Sequence, residues 1–191
     1  MWKDENLKSV ARGNKFHKLM GDTLCRNLSV NVDGHDLVVN ITKTENGVKL
    51  AKSLKLEPGI YPELIIYLDS VEVAGQADYI EVVDGRINIK DYKTNKEIKT
   101  KGFVDWKGVE EKLKAPLSHL GNCNYNLYCL QLNTYMYMLL KHNPKLKMGK
   151  MELLHIKFDE KDNPVEEVIY RVPNMQKEVK NLMAYWDKQK K

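Results

Sequence analysis

The sequence predicts an α/β protein built on one mixed β-sheet with helices packed against it. Three observations carry this reading. β-rich runs follow the break at Pro58–Gly59, an Asp84–Gly85 pair joins two of them, and a long apolar helical segment precedes two further β-rich runs. The resulting order is helix, three strands, helix, two strands, helix, and such elements bury their apolar sides by layering helices on a sheet.

Each element has a local reason. Phe16, Leu19, Met20 and Leu24 recur at helical spacing, which predicts a helix through residues 14–27. Leu37–Val38–Val39 and Val48–Lys49–Leu50 flank Glu45–Asn46–Gly47, and Asn-Gly is a turn signal. A hairpin is expected there, although residues 49–56 fit a helix equally well. Leu64–Leu68, Val71–Val83 and Arg86–Tyr92 read as strands, the last two joined in an antiparallel hairpin by Asp84–Gly85. Residues 94–122 are polar, lysine-rich and broken by glycines, so they predict a loop with a short helix at 107–114. A helix over 125–142 stops at Asn143–Pro144. Strands at 150–158 and 165–172 flank the turn Asp162–Asn163–Pro164. Pro173–Asn174 then introduces a last helix whose tail, Lys188–Gln189–Lys190–Lys191, is expected to fray.

The 191 residues predict a single domain, 1–191, with 42% hydrophobic and 30% charged residues as in ordinary globular proteins. No apolar stretch approaches the roughly 20 residues that cross a bilayer. Met1–Glu5 has neither the apolar core nor the cleavage site of a signal peptide, so a cytoplasmic protein is expected. Cys25, Cys123 and Cys129 are odd in number and form no C-x-x-C pair, which argues against a disulfide framework or a zinc site. The net charge of +5 and pI near 8.9 suit an anionic partner. Between Arg86 and Lys114 nine Lys or Arg face five acids, the kind of surface a phosphate backbone requires, or else a solvated lysine-rich loop.

The chemistry concentrates on the hairpin. Asp78 and Asp91 stand six residues to either side of the 84–85 turn, so they oppose one another on one face of the sheet. Opposed like charges are destabilising unless something positive lies between them. A hard divalent cation would serve, since it takes one or two protein carboxylates and lowers the pKa of water. Lys93, two residues beyond Asp91, shares its face and could orient a water or neutralise developing charge. Gln131 and Tyr135 project from one side of the following helix, and a buried amide needs partners. In the basic segment, Phe103 and Trp106 could stack on bases of a single strand or anchor the loop to the core.

Taken in order, Gly13-x-x-x-His17, Glu63, Gly75-x-x-Asp78, Asp91–Tyr92–Lys93 and Gln131-x-x-x-Tyr135 resemble the PD-(D/E)XK nuclease superfamily, in particular its RecB-like branch. The resemblance implies a restriction-endonuclease-like core. It also implies a Mg²⁺- or Mn²⁺-dependent deoxyribonuclease, an exonuclease of replication, recombination or repair working on single strands or duplex ends. The alternative is a nuclease-fold module that binds nucleic acid without cutting it.

The same resemblance implies roles. Asp78, Asp91, the carbonyl of Tyr92 and His17 would hold the metal. Lys93 would be the catalytic lysine, Glu63 would support the cation or its waters, and Gln131 and Tyr135 would bond to Lys93 or to substrate. Read without it, His17 fits a core-edge histidine, Glu63 a strand-edge charge, and the tyrosines and methionines of the helix core packing. Three scattered cysteines cannot reproduce the four-cysteine pattern of some relatives, so no iron–sulfur cluster is expected. There is no G-x-x-x-x-G-K-[ST] loop, so any motor would be a separate helicase or replication protein. Asp91 stands where many relatives have glutamate, a shorter arm of the same charge. A bacterial or viral source is expected.

Overall fold

The computed structural model describes residues 2–40, 43–44, 47–48 and 54–189. In chain order the elements are α1 (Trp2–Cys25), β1 (Ser29–Val32), β2 (His35–Val38), β3 (Lys43–Thr44), β4 (Gly47–Val48), β5 (Gly59–Leu68), β6 (Val73–Val83), β7 (Arg86–Lys93), α2 (Asn124–His142), β8 (Lys147–Phe158), β9 (Pro164–Arg171) and α3 (Gln176–Gln189). The last five strands form one sheet in the order β5-β6-β7-β8-β9. Within it only β7 and β8 run parallel, joined by the crossover through α2, so the sheet is mixed as expected.

Alternation along β7 decides which helix meets which side. Ile87 and Ile89 face the main core with Met151 and Leu153 of β8, and α2 lays Leu132, Met136 and Leu139 on them. Tyr92 turns the other way, with Leu154 and Ile156, and α1 covers that side with Phe16 and Met20. A third cluster behind α2 joins Cys129 and Leu130 to Leu117 and Met175, with Leu182 of α3 packed against it. Edge strand β9 is exposed and carries Glu166, Glu167 and Pro164, which discourage further strand pairing.

The Asp84–Gly85 turn is present, and both residues are left-handed, with φ of 49° and 70°. That is the two-residue turn whose twist matches a hairpin. Val83 pairs with Arg86 and Tyr79 with Lys90, as the reflection about the turn requires.

Elsewhere the structure departs from the sequence reading. Helix α1 begins at Trp2 rather than near 14 and ends at Cys25. Val71 belongs to a 3-10 turn with residues 69–70 rather than to the strand, which starts at Val73. Leu37 and Val38 pair with β1 around Asp33–Gly34, and Val48 pairs with Lys43 instead. A separate short hairpin pairs Lys43–Thr44 with Gly47–Val48, while residues 49–53 lie outside the described residues. No helix forms at 107–114. Asp105 Oδ1 accepts the backbone N–H groups of Lys107 (2.8 Å) and Val109 (2.9 Å), and Gly108 is left-handed at φ 79°, so the chain turns back instead. Isolated bridges Val104–Glu110 and Lys112–Gly121 then hold this segment as an arm. In the tail, Lys188 and Gln189 belong to α3, and residues 190–191 lie outside the described residues.

Two buried asparagines tie the irregular segments to α2. Asn133 donates to the carbonyl of Pro173 (2.9 Å) and accepts from Met175 N (2.8 Å), fixing the approach to α3. Asn143 accepts from Leu56 N (2.8 Å) and donates to the carbonyls of Leu54 (2.7 Å) and Leu139 (2.8 Å). Alanine at 143 would strip the buried N–H of Leu56 and the carbonyl of Leu54 of this partner, while the carbonyl of Leu139 keeps the backbone N–H of residue 143. Asn143→Ala is therefore expected to cost about 3 kcal/mol of stability, read as a lower midpoint in urea unfolding.

Candidate functional site

The strand register sets three acids in a row. Pairs Pro62–Tyr79 and Leu64–Ala77 bracket Glu63 opposite Asp78, and continuation of the Tyr79–Lys90 register sets Asp78 opposite Asp91. The β5–β6 ladder skips the Glu63–Asp78 pair, and the β6–β7 ladder ends at Tyr79–Lys90, so Asp78 is paired regularly with neither acid. Glu63 itself is left-handed at φ 55°, a conformation that costs a non-glycine residue about 1 kcal/mol or more.

Each acid has its own partner. Asp78 Oδ2 accepts the backbone N–H of Tyr92 at 2.8 Å, and its Oδ1 lies 3.1 Å from Nδ1 of His17. Gln76 donates to Oε2 of Glu63 at 2.5 Å. Asp91, only 3% exposed, places Oδ2 2.5 Å from Nζ of Lys93. The ammonium of Lys93 also donates to Gln131 Oε1 at 3.3 Å and lies 4.4 Å from the centre of the Tyr128 ring. Gln131 in turn donates to the hydroxyl of Tyr135 at 2.8 Å.

Electrostatics follow from burial. The hydrogen bond to Asp78 holds His17 above its ordinary 6.5 against the opposing effect of burial, and the charges of Asp78, Asp91 and Glu63 add to it. Burial pushes Asp91 up from 3.8 to about 6, partly countered by Lys93 and reinforced by Asp78.

His17, Glu63 and Asp78 each bring a ligating atom within 4.8 Å of the others. One imidazole nitrogen and two carboxylates form a donor set suited to a hard divalent cation that tolerates a nitrogen ligand. Asp91 is outside that trio and sits instead with Lys93. The residues expected at the site fall into two neighbouring groups, His17, Glu63 and Asp78 on one hand and Asp91, Lys93, Gln131 and Tyr135 on the other, with the backbone N–H of Tyr92 on Asp78. The second group lies toward α2, and His17 toward α1.

Close packing explains the glycines. A methyl group on Gly75 would collide with the ring of Tyr135. On α1, Gly13 and Gly21 stand four residues to either side of His17. A methyl at Gly13 would come within 2.9 Å of Thr94 Oγ1, and one at Gly21 within 3.1 Å of Glu63 Cγ. Gln76 and Gly21 are not anticipated from the sequence. The G-x-x-x-H-x-x-x-G spacing could have revealed Gly21, whereas nothing in the sequence marks Gln76. Phe103 and Trp106 are 72% and 89% exposed, so neither anchors its loop to the core.

The sequence model of the PD-(D/E)XK nuclease superfamily matches residues 2–190. No curated protein matches the chain. The mixed sheet between helices agrees with the restriction-endonuclease-like fold, and nucleases of this superfamily use divalent metals. No helix among the described residues is long and apolar enough to cross a membrane.

Two substitutions test the geometry. The raised pKa of Asp91 means that the folded protein keeps a proton the unfolded chain has already released. This contribution to stability is complete below about 4 and is lost as pH rises through about 6. Asp91→Asn cannot ionise, so in chelator it should raise the melting temperature by roughly a few degrees at pH 8 and leave it unchanged at pH 4. A lower melting temperature at pH 8 would show that the Lys93 pair outweighs burial. Gly75→Ala should displace Tyr135, lower nuclease activity about tenfold or more, and leave the far-ultraviolet spectrum of the fold intact.

Proposed function

The chain belongs to the PD-(D/E)XK nuclease superfamily, and from that premise we propose that it is a Mg²⁺- or Mn²⁺-dependent deoxyribonuclease, acting as an exonuclease of the RecB-like kind. The observation that carries this reading is the juxtaposition of a three-residue donor set with a buried acid–lysine pair on adjoining strands. His17, Glu63 and Asp78 would hold the cation, joined by Asp91 and the carbonyl of Tyr92. Such an ion polarises a phosphoryl oxygen and lowers the pKa of water.

The remaining steps belong to the chain's own groups. Lys93 is held by Asp91 on one side and Gln131 on the other, over the face of Tyr128. An ammonium fixed in this way can orient a water toward the phosphorus and meet the charge that develops on the phosphate. Gln131 keeps its carbonyl oxygen toward Lys93 because its amide is engaged by Tyr135. Gln76 restrains Glu63, whose left-handed backbone directs the carboxylate toward Asp78 and His17. The exonuclease assignment rests on the resemblance of the Gly13-x-x-x-His17 and Gln131-x-x-x-Tyr135 motifs to the RecB-like branch. DNA rather than RNA rests on the same ground. A separate helicase or replication protein as partner and a role in DNA repair follow from it too.

The test uses end-labelled single-stranded and duplex DNA with Mg²⁺ or Mn²⁺, with and without chelator. Wild-type protein should shorten the labelled ends only when metal is present. Lys93→Ala should be slower by about a hundredfold or more while still binding DNA. A closed circular substrate should be spared by an exonuclease. Binding by wild-type protein with no cutting in any metal would favour the inactive binding module.

A further inference from the structure

We propose that the cleft between α1 and the β8–β9 turn seats the part of the DNA strand next to the scissile phosphate, with a base on its aromatic floor and phosphates on its lysine rim. The proposal deepens the nuclease reading and rests on it. The cleft holds about 420 Å³ and is lined by Lys8, Arg12, Lys15, Phe16, Leu19 and Phe158, with Asp162 beside Arg12. A volume of this size is in the range of small-molecule sites.

Its floor is ordered and planar groups dominate it. The guanidinium of Arg12 lies 5.0 Å from the centre of the Phe158 ring. It is held there by Asp162 Oδ1 at 3.1 Å and by the carbonyl of Thr94 at 3.3 Å. Phe16 meets Phe158 edge-on at 5.7 Å. Arginine stacked on an aromatic ring is a surface on which bases stack without regard to sequence. A single-stranded base would therefore find a partner here, whereas an intact pair would not fit its width to one ring.

The cleft neighbours the candidate site through two of its holding residues. Phe16 precedes His17 and lies edge-on to Tyr92 at 5.7 Å, and Thr94 directly follows Lys93. Charge selects the occupant. Asp162, the one acid of the lining among the described residues, is engaged by Arg12, and the exposed lysines Lys8 and Lys15 stand at the rim. They lie two helical turns apart, about 10 Å along α1, and so can meet different phosphates of one strand.

The experiment measures binding of a labelled single-stranded 12-mer to Lys93→Ala protein across a salt series. Adding Lys8→Glu and Lys15→Glu should weaken binding about tenfold or more and flatten the salt dependence by about 0.7 for each phosphate no longer neutralised. Lys177→Glu with Lys180→Glu, exposed on the remote helix α3, should change it far less. An abasic 12-mer, which keeps the phosphates and lacks the rings, should bind the unaltered cleft about tenfold more weakly. Binding within about twofold for the α1 pair, equal weakening by the α3 pair, or equal affinity for the abasic strand would each overturn the proposal. Hydrolysis of bis(p-nitrophenyl) phosphate with Mn²⁺ separates this from the nuclease reading. The α1 pair should retain it when Lys93 is intact, and its absence from wild-type protein would remove the nuclease reading while binding still judges the cleft.

Discussion

Three carboxylates on three neighbouring strands repel one another, and the local structure is organised around offsetting that repulsion. Glu63, Asp78 and Asp91 stand in register across β5, β6 and β7. Like charges directly opposed across strands are unfavourable. Each acid is therefore given a different donor: an amide for Glu63, an imidazole and a backbone N–H for Asp78, and an ammonium for Asp91. Burial raises the pKa of Asp91, with Asp78 adding to it, and the hydrogen bond to Asp78 raises that of His17. Protonating either group reduces the excess negative charge. A divalent cation would do the same without requiring a proton, so the row of acids is an arrangement primed for positive charge.

The two helices nearest the row approach it from opposite sides, and small residues let them do so. Helix α2 brings Gln131 and Tyr135 to Lys93, and Tyr135 can lie against the sheet because residue 75 has no side chain. Helix α1 brings His17 to Asp78, with glycines at 13 and 21 allowing Thr94 and Glu63 to approach. The motif glycines thus act through packing distance rather than through unusual backbone angles. Glu63 is the opposite case, an ordinary side chain on a left-handed backbone, and it sits where the donors converge. Strain at such a position is sustained only where surrounding contacts over-determine it, and here Gln76 supplies one of those contacts.

What the sequence discloses depends on how local the cause is. The 84–85 hairpin is determined by two adjacent residues, so its register, and with it the opposition of Asp78 and Asp91, is legible from spacing alone. Asp33–Gly34 carries the same signal as Asn46–Gly47, and choosing between the two turns by sequence assigns Leu37 the wrong partner. The spacing of residues 107–114 suggests a helix, but Asp105 and Gly108 reverse the chain through side-chain capping and a positive φ. Helix α1 extends to Trp2 although its first turns carry few apolar residues, so the hydrophobic period marks only the part that touches the core. The association of His17 with Glu63 is non-local. No spacing links them, and only the resemblance to a family places both at one site. The restraint of Glu63 by Gln76 depends on cross-strand geometry at a break in the ladder, which a sequence does not display.

The site is unequal in how its parts are held. Asp78 and Asp91 are carried by interior strands of the sheet, whereas His17 is carried by a helix that meets the body through Phe16, Met20, Leu24, Arg12 and two glycine contacts. A ligand that engages His17 together with Glu63 and Asp78 would tie α1 to β5 and β6 and stabilise that helix by the free energy of binding. The cleft beside α1 is formed by the same helix and by the β8–β9 turn, linked through Arg12 to Asp162 and to the carbonyl of Thr94. Docking of α1 therefore shapes both the donor set and the cleft, and whatever steadies one steadies the other. The first helix thus forms one side of the site and the sheet the other.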